Sequence, residues 1–305
     1  MARLRYPSAC LHRRHAHRGG SRLAGSSAAV LAAGLTLGLA ACDADDGEPS
    51  ERLYELEFDV VFGAQPFRCG GSYPGAGASA STVEPRDIRF YVYDVAVVDA
   101  AGQAVALDLV EDGQWQRDGV ALLDFVDDTG LCATGDTATN LTVRGRGAPI
   151  DVAAVRFTIG LPEALNHIDA ARAATPFNDP GMWWSWTGGF KYMRIDAKTA
   201  GNDNWYIHMG ATGCEGTPEQ GIACAFGNRA TVTVTGVNPD APRVVLDMQA
   251  LYAGNDLDAP IDFMSDFVNG CMAFPGDPEC PSVFSGLGLT FMADEPRQAT
   301  AFRGE

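Results

Sequence analysis

Apolar and polar residues alternate along much of this chain with a period of two. From Leu53 to Phe62, the apolar residues Leu53, Leu56, Phe58, Val60 and Phe62 are set against Glu55, Glu57 and Asp59, with a slip at Tyr54. Such alternation marks a strand with one buried face. Asp87 to Val98 is rich in β-branched and aromatic residues and predicts a second strand. Further strands are expected at Val120–Phe125, Ala153–Ile159, Phe190–Asp196, Trp205–Met209, Ala230–Val237 and Arg243–Leu251. Turn residues punctuate them, as in Ala101-Gly102, Asp112-Gly113 and Asn238-Pro239-Asp240. Helical periodicity is confined to two short stretches, Asn166–Ala174 and Ile261–Val268. The pattern predicts an all-β fold, an antiparallel β-sandwich of Greek-key type with long decorated loops and one or two short helices. Two loops are long, from Cys69 to Pro85 and from His167 to Pro180. An ordered loop of that length usually has a function or a staple.

The N-terminus departs from this pattern. Arg3, Arg5, Arg13, Arg14, Arg18 and Arg22 precede an apolar run from Ala28 to Ala41, and no acid occurs before Cys42. The run is too short for a permanent bilayer span and has the flanks of an export signal. It ends in Leu39-Ala40-Ala41-Cys42, which looks like a lipobox, with cleavage before a lipidated Cys42. Residues 1–41 therefore read as a lipoprotein signal peptide and 42–52 as an acidic flexible tether. Residues 53–305 read as one domain, anchored to a bacterial envelope membrane through lipid, at the periplasmic or the outer-membrane face.

Loss of that leader sharpens the charge. The full chain holds 22 basic and 39 acidic residues, net −17, and without the six leader arginines the net charge is −23. Nucleic acid and anionic lipid surfaces are poor partners for such a body.

Six cysteines remain beyond Cys42: Cys69, Cys132, Cys214, Cys224, Cys271 and Cys280. Six cysteines allow fifteen pairings. Short loop closure favours Cys214–Cys224 and Cys271–Cys280, which leaves Cys69–Cys132. With no Cys-x-x-Cys, neither a zinc ribbon nor a thioredoxin-type site is expected. Gly-x-Ser-x-Gly and His-Glu-x-x-His are also absent, so neither hydrolase signature is present.

Only His167 and His208 lie beyond the leader, and four of the five tryptophans lie between or beside them. Strand spacing puts Met182, Trp184 and Trp186 on one face and Trp183 on the other. It likewise pairs His208 with Tyr206, against Trp205 and Ile207. Imidazole and thioether suit a soft metal, copper first. Equally, Trp and Met can fill a core and the histidines can be satisfied structural residues. An intact indole offers no lone pair, since its N–H only donates.

Several strings together resemble the MbnP-like proteins, also called metallo-mystery-pair four-Cys proteins. They are Phe67-Arg68-Cys69-Gly70, Asp87-Ile88-Arg89-Phe90, Leu122-Leu123-Asp124-Phe125, and Phe157-Thr158-Ile159-Gly160-Leu161-Pro162 leading to Leu165-Asn166-His167. Met182-x-Trp184-x-Trp186-x-x-Gly189-Phe190-Lys191 and His208-Met209-Gly210-Ala211-Thr212-Gly213-Cys214 complete the set. The resemblance implies a copper-binding protein, not an enzyme, that is the substrate of a di-haem partner related to cytochrome c peroxidases. That partner converts one tryptophan to kynurenine. The implied site residues are His167, His208, Trp184 and Trp186, holding one copper ion as Cu(I), and the four-Cys set is Cys69, Cys132, Cys214 and Cys224. Trp183 stands where other members can carry a third histidine. The role implied is copper storage, uptake or delivery. A carbohydrate-binding sandwich or a purely structural envelope lipoprotein is the competing reading of the same aromatic row.

Overall fold

A computed structural model describes residues 51–185, 187–217, 219–260 and 268–305. The leader, Cys42, most of the tether, Trp186 and nearly all of the helix expected at Ile261–Val268 lie outside the described residues.

Two sheets form the body. The first runs in the order Phe302–Gly304, Arg243–Asp247, Arg52–Phe62, Thr142–Gly147, Asp108–Leu109. The second runs Ala230–Thr235, Ala154–Ile159, Ser81–Val98, Met193–Lys198, Trp205–Met209, Gly270–Cys271, with Val120–Asp124 also paired to Ser81–Val98. Aromatic rings join the sheets: Phe58 of the first meets Phe90 and Phe157 of the second edge-on, at 6.4 and 5.3 Å. The fold is thus a β-sandwich, although its sheets are mixed. Arg52–Phe62 runs parallel to Arg243–Asp247, and Trp205–Met209 runs parallel to Gly270–Cys271. Each parallel pair joins strands distant in sequence, which alternation cannot register.

The slip at Tyr54 is only apparent. Tyr54 is 2% exposed and in phase with Leu56, Phe58, Val60 and Phe62, while Leu53 is 43% exposed. The phenol reaches across the edge and donates to the Ala148 carbonyl at 2.9 Å, so a polar tip is satisfied at an inward position.

Other boundaries differ for local reasons. The strand Arg243–Asp247 stops because the Asp247 side chain accepts from the Gln249 backbone N–H, capping a helix at Met248–Tyr252. The helix expected at Asn166–Ala174 is instead Glu163–Asn166, begun by Pro162, and His167 is its C-cap. The run Phe190–Asp196 divides: Gly189–Phe190 pairs with Trp183–Ser185, and Met193–Lys198 joins the main sheet. Elements not expected include the strand Thr142–Gly147 at the heart of the first sheet, the hairpin Thr212–Thr217/Gly221–Phe226 and the helix Cys280–Leu287.

Three disulfides staple the fold: Cys69–Cys132, Cys214–Cys224 and Cys271–Cys280. Bonds of this number accord with an oxidising compartment. Among the described residues no helix is long and apolar enough to cross a membrane.

Residues 167–180 cover the outer face of the second sheet. Tyr91 donates to the Pro176 carbonyl at 2.9 Å, and the Phe177 ring lies against Tyr91 and Phe190. This cover makes Ser81–Val98 buried on both faces through its middle and shuts charged residues beneath it.

Candidate metal centre

Strand register builds the site. Asp124, Arg89, Arg194 and His208 are cross-strand partners in succession, and Asp87, Asp196 and Tyr206 form the adjoining row. Residues two apart on a strand share a face, so both rows lie on the covered face, opposite Ile88, Ile195 and Ile207.

These charges pair closely. The Arg89 guanidinium forks onto Asp87 and also reaches Asp179 at 2.5 Å. Arg194 donates twice to Asp196 Oδ2, at 2.9 and 2.6 Å, and lies 3.2 Å from Asp87. The chain ends in a hydrogen bond at His208, whose Nε2 is 2.6 Å from Asp196 Oδ1. Gly181 leaves room for both guanidinium groups: a Cβ would come within 2.7 Å of Arg89 Nη2 and 2.8 Å of Arg194 Nη1. Its carbonyl accepts from Lys191 Nζ and Arg194 Nη1.

Protonation states follow from this packing. Burial works to raise the Asp196 carboxyl, but hydrogen bonds from His208 and Arg194 overcome it and hold the group at about 2. Burial pushes the His208 imidazole down against the pull of Asp196, so the ring is neutral at pH 7. An ionised Asp196 can only accept, so Nε2 carries the proton of neutral His208 and Nδ1 keeps its lone pair. His208 Nδ1 is buried without a hydrogen-bond partner. A carboxylate holding one imidazole nitrogen and freeing the other is the usual support of a metal-ligating histidine.

Burial also pulls Lys191 down to about 8, helped by Arg194, and raises Asp124 to about 7. The raised Asp124 carboxyl sets a pH dependence. A folded-state value above the unfolded one means that the folded protein favours the protonated acid. The associated stability is complete below about pH 4. It then declines by roughly 1.4 kcal/mol per pH unit, as the unfolded chain ionises, and levels off above about pH 7. Asp124→Asn keeps an acceptor for the Val126 N–H and removes this decline. Denaturant unfolding across that range will show a flatter stability profile for the variant and a stabilised protein at the alkaline end.

Trp184 meets His208. Their rings are T-shaped at 6.3 Å, and Trp184 also stacks on Phe274 at 5.7 Å. Gly210 permits the approach, since a Cβ there would lie 2.8 Å from Trp184 Cζ3. Trp184 and Phe274 line a cleft of about 420 Å³, and His208, Tyr206 and Met272 line another of about 510 Å³. The remaining described tryptophans are placed differently. Trp205 is buried against Tyr252, Trp115 lies at the edge of the core, and Trp183 faces Ala170, Asn178 and Pro180.

His167 lies against the hairpin disulfide, whose Cys214 lines the same cleft as Trp184 and Phe274. Its Nε2 is 3.0 Å from Asn166 Nδ2 and 3.4 Å from Cys224 Sγ, and its Nδ1 is buried without a partner. The ligand atoms of His167, Cys214 and Cys224 lie within 4.8 Å of one another, a possible His/Cys metal site. Both sulfurs are in a disulfide and lack the thiolate charge that makes cysteine a strong ligand. No hydrogen bond or ring contact among the described residues joins His167 to His208 or Trp184. Of the expected site residues, His208 and Trp184 are brought together, His167 joins the hairpin disulfide, and Trp186 is outside the described residues.

Sequence reasoning missed Asp87, Arg89, Asp179, Arg194, Asp196 and Phe274. Asp87-Ile-Arg89 and Arg194-Ile-Asp196 each place two charges on one strand face, which reads as a solvated face until a loop is known to cover it.

The fold is thus a β-sandwich that sets an imidazole, held by a buried carboxylate, beside an indole. Residues 51–273 match the MbnP family, and the chain belongs to that family. Among solved structures it is similar to MbnP from Methylosinus trichosporium, with TM-score 0.73 and 28% identity over 84% of this chain and 98% of that one. No curated protein matches the chain.

Proposed function

We propose that this protein is an exported, lipid-anchored copper protein that is not itself an enzyme. In this reading Trp184 is the tryptophan that a di-haem partner oxidises to kynurenine, and His208 is the imidazole that completes the site. The contact between Trp184 and His208, whose Nδ1 has no other partner, carries the reading.

The residues fit a soft cation. Cleavage of the indole C2–C3 bond with addition of two oxygens gives N-formylkynurenine, and hydrolysis then releases formate. Overall the side chain exchanges one carbon for one oxygen. The product carries an aryl amine, a nitrogen donor that the indole lacks. That amine and His208 Nδ1 make a nitrogen pair suited to Cu(I). Copper, when held, is cargo for storage, uptake or delivery. Asp196 fixes the His208 tautomer, and Arg194 and Asp87 fix Asp196.

Trp184 also suits oxidation. It is half-buried beside a cleft and stacks on Phe274, which is 46% exposed, whereas Trp205 is enclosed in the core. Co-expression with the di-haem partner, followed by intact mass and copper analysis, tests the proposal. The wild type should show the carbon-for-oxygen exchange together with copper, and Trp184→Phe should show neither. A sugar-binding or structural sandwich would leave the mass unchanged in both.

A further inference from the structure

We propose that Cys214, Cys224 and His167 form a second, redox-gated site for one soft monovalent cation, closed as a disulfide and opened by a dithiol reductant. Its donor atoms are distinct from those at Trp184 and His208, although Cys214 also lines the cleft beside Trp184 and Phe274.

The geometry is that of a tripod held shut. Cys214 and Cys224 are direct cross-strand partners on the hairpin Thr212–Thr217/Gly221–Phe226, with Cα atoms 3.8 Å apart. His167 approaches from a separate element, the end of Glu163–Asn166, and brings Nε2 to 3.4 Å from Cys224 Sγ. The three side chains converge from three backbone segments, and their donor atoms already lie within 4.8 Å. When the sulfur–sulfur bond is broken, a side-chain rotation of either cysteine can separate the sulfurs to the span of two metal–thiolate bonds of about 2.3 Å. The backbones need not move. Two thiolates and an imidazole are a soft donor set that favours Cu(I).

Accessibility singles out this bond. Cys214 and Cys224 are both half-buried, on a two-stranded hairpin outside the main sheets. Cys271 and Cys280 are fully buried, and the third bond joins a half-buried Cys69 to a fully buried Cys132. Thiol–disulfide exchange requires a thiolate to reach a sulfur, and of the three bonds the hairpin one has both cysteines partly exposed, which favours its reduction first.

The chemistry balances. A dithiol donates two electrons and two protons to the Cys214–Cys224 bond and becomes a disulfide, leaving two thiols. Binding of the cation releases both thiol protons. The reverse exchange, with a disulfide taking the two electrons and becoming a dithiol, returns the Cys214–Cys224 bond and removes the thiolates that held the cation.

The test uses the full mature chain carrying Trp184→Phe, which removes the indole that the proposed function converts to a copper ligand. Limited reduction with dithiothreitol, alkylation and peptide mapping should find labels at Cys214 and Cys224 first. Anaerobic titration with Cu(I) against a chromophoric chelator should then show one bound ion in the reduced protein and none in the oxidised one. Cys224→Ser should abolish that binding, and His167→Ala should weaken it at least about tenfold. Labels appearing first at another pair, no binding after reduction, or binding unchanged in both variants would overturn the proposal. A failure of Trp184 to become kynurenine in the wild type would leave this result untouched.

Discussion

Replacing His208 by alanine will abolish tight copper binding in protein matured by its di-haem partner, while the same change at His167 will leave most of the affinity in the oxidised protein. The asymmetry follows from where each ring sits. His208 Nδ1 is unpartnered on a residue whose ring touches Trp184, whereas His167 contacts Asn166 and the hairpin disulfide. Asp196→Asn extends the test. It leaves a hydrogen-bonding group of the same size but removes the charge that keeps the proton on Nε2, and it should lower affinity by roughly 10–100-fold, the usual cost of losing such a partner. His208→Ala should cost more than Asp196→Asn. Chelator competition measures all three, and equal losses in the two histidine variants would place both rings in one pocket.

The second large effect concerns stability. Arg89→Met will destabilise the fold by about 3–5 kcal/mol, because it strands a buried carboxylate without its main partner. Asp87 is 2% exposed, and Arg194 at 3.2 Å would be its remaining cation while also serving Asp196. Asp179 would lose its ion pair as well, loosening the loop over the sheet. For a domain of this size the fall in Tm is roughly 6–20 °C. Adding Asp87→Leu should restore part of the loss, since removing both partners of a buried pair costs less than removing one. A loss below about 1 kcal/mol for Arg89→Met would mean that water reaches Asp87 in solution, where exposed pairs contribute so little.

The same ion pairs show what could be read in the sequence and what could not. Trp205–Met209 was legible to the residue, because its alternation is uninterrupted. Arg243–Leu251 was overextended, because Val244, Val245 and Leu246 run on into Met248, Leu251 and Tyr252. The Asp247 cap that divides strand from helix is a single side-chain hydrogen bond. His208 and Tyr206 on one face, against Trp205 and Ile207, followed from period two alone. The meeting of Trp184 with His208 did not, because it depends on Trp183–Ser185 lying over the second sheet as part of its own small hairpin. Asp196 could not be recognised as the support of His208. Its importance comes from cross-strand register and from the cover provided by residues 167–180, and neither is written in local pattern.

Peptide-resolved mass spectrometry of protein matured by the di-haem partner tests the central claim most directly. The account predicts kynurenine at Trp184, with Trp183 and Trp205 intact and bound copper rising in proportion to the modified fraction. Kynurenine at Trp183 or Trp205 with Trp184 unchanged would contradict it, as would full copper binding by protein in which every tryptophan is intact.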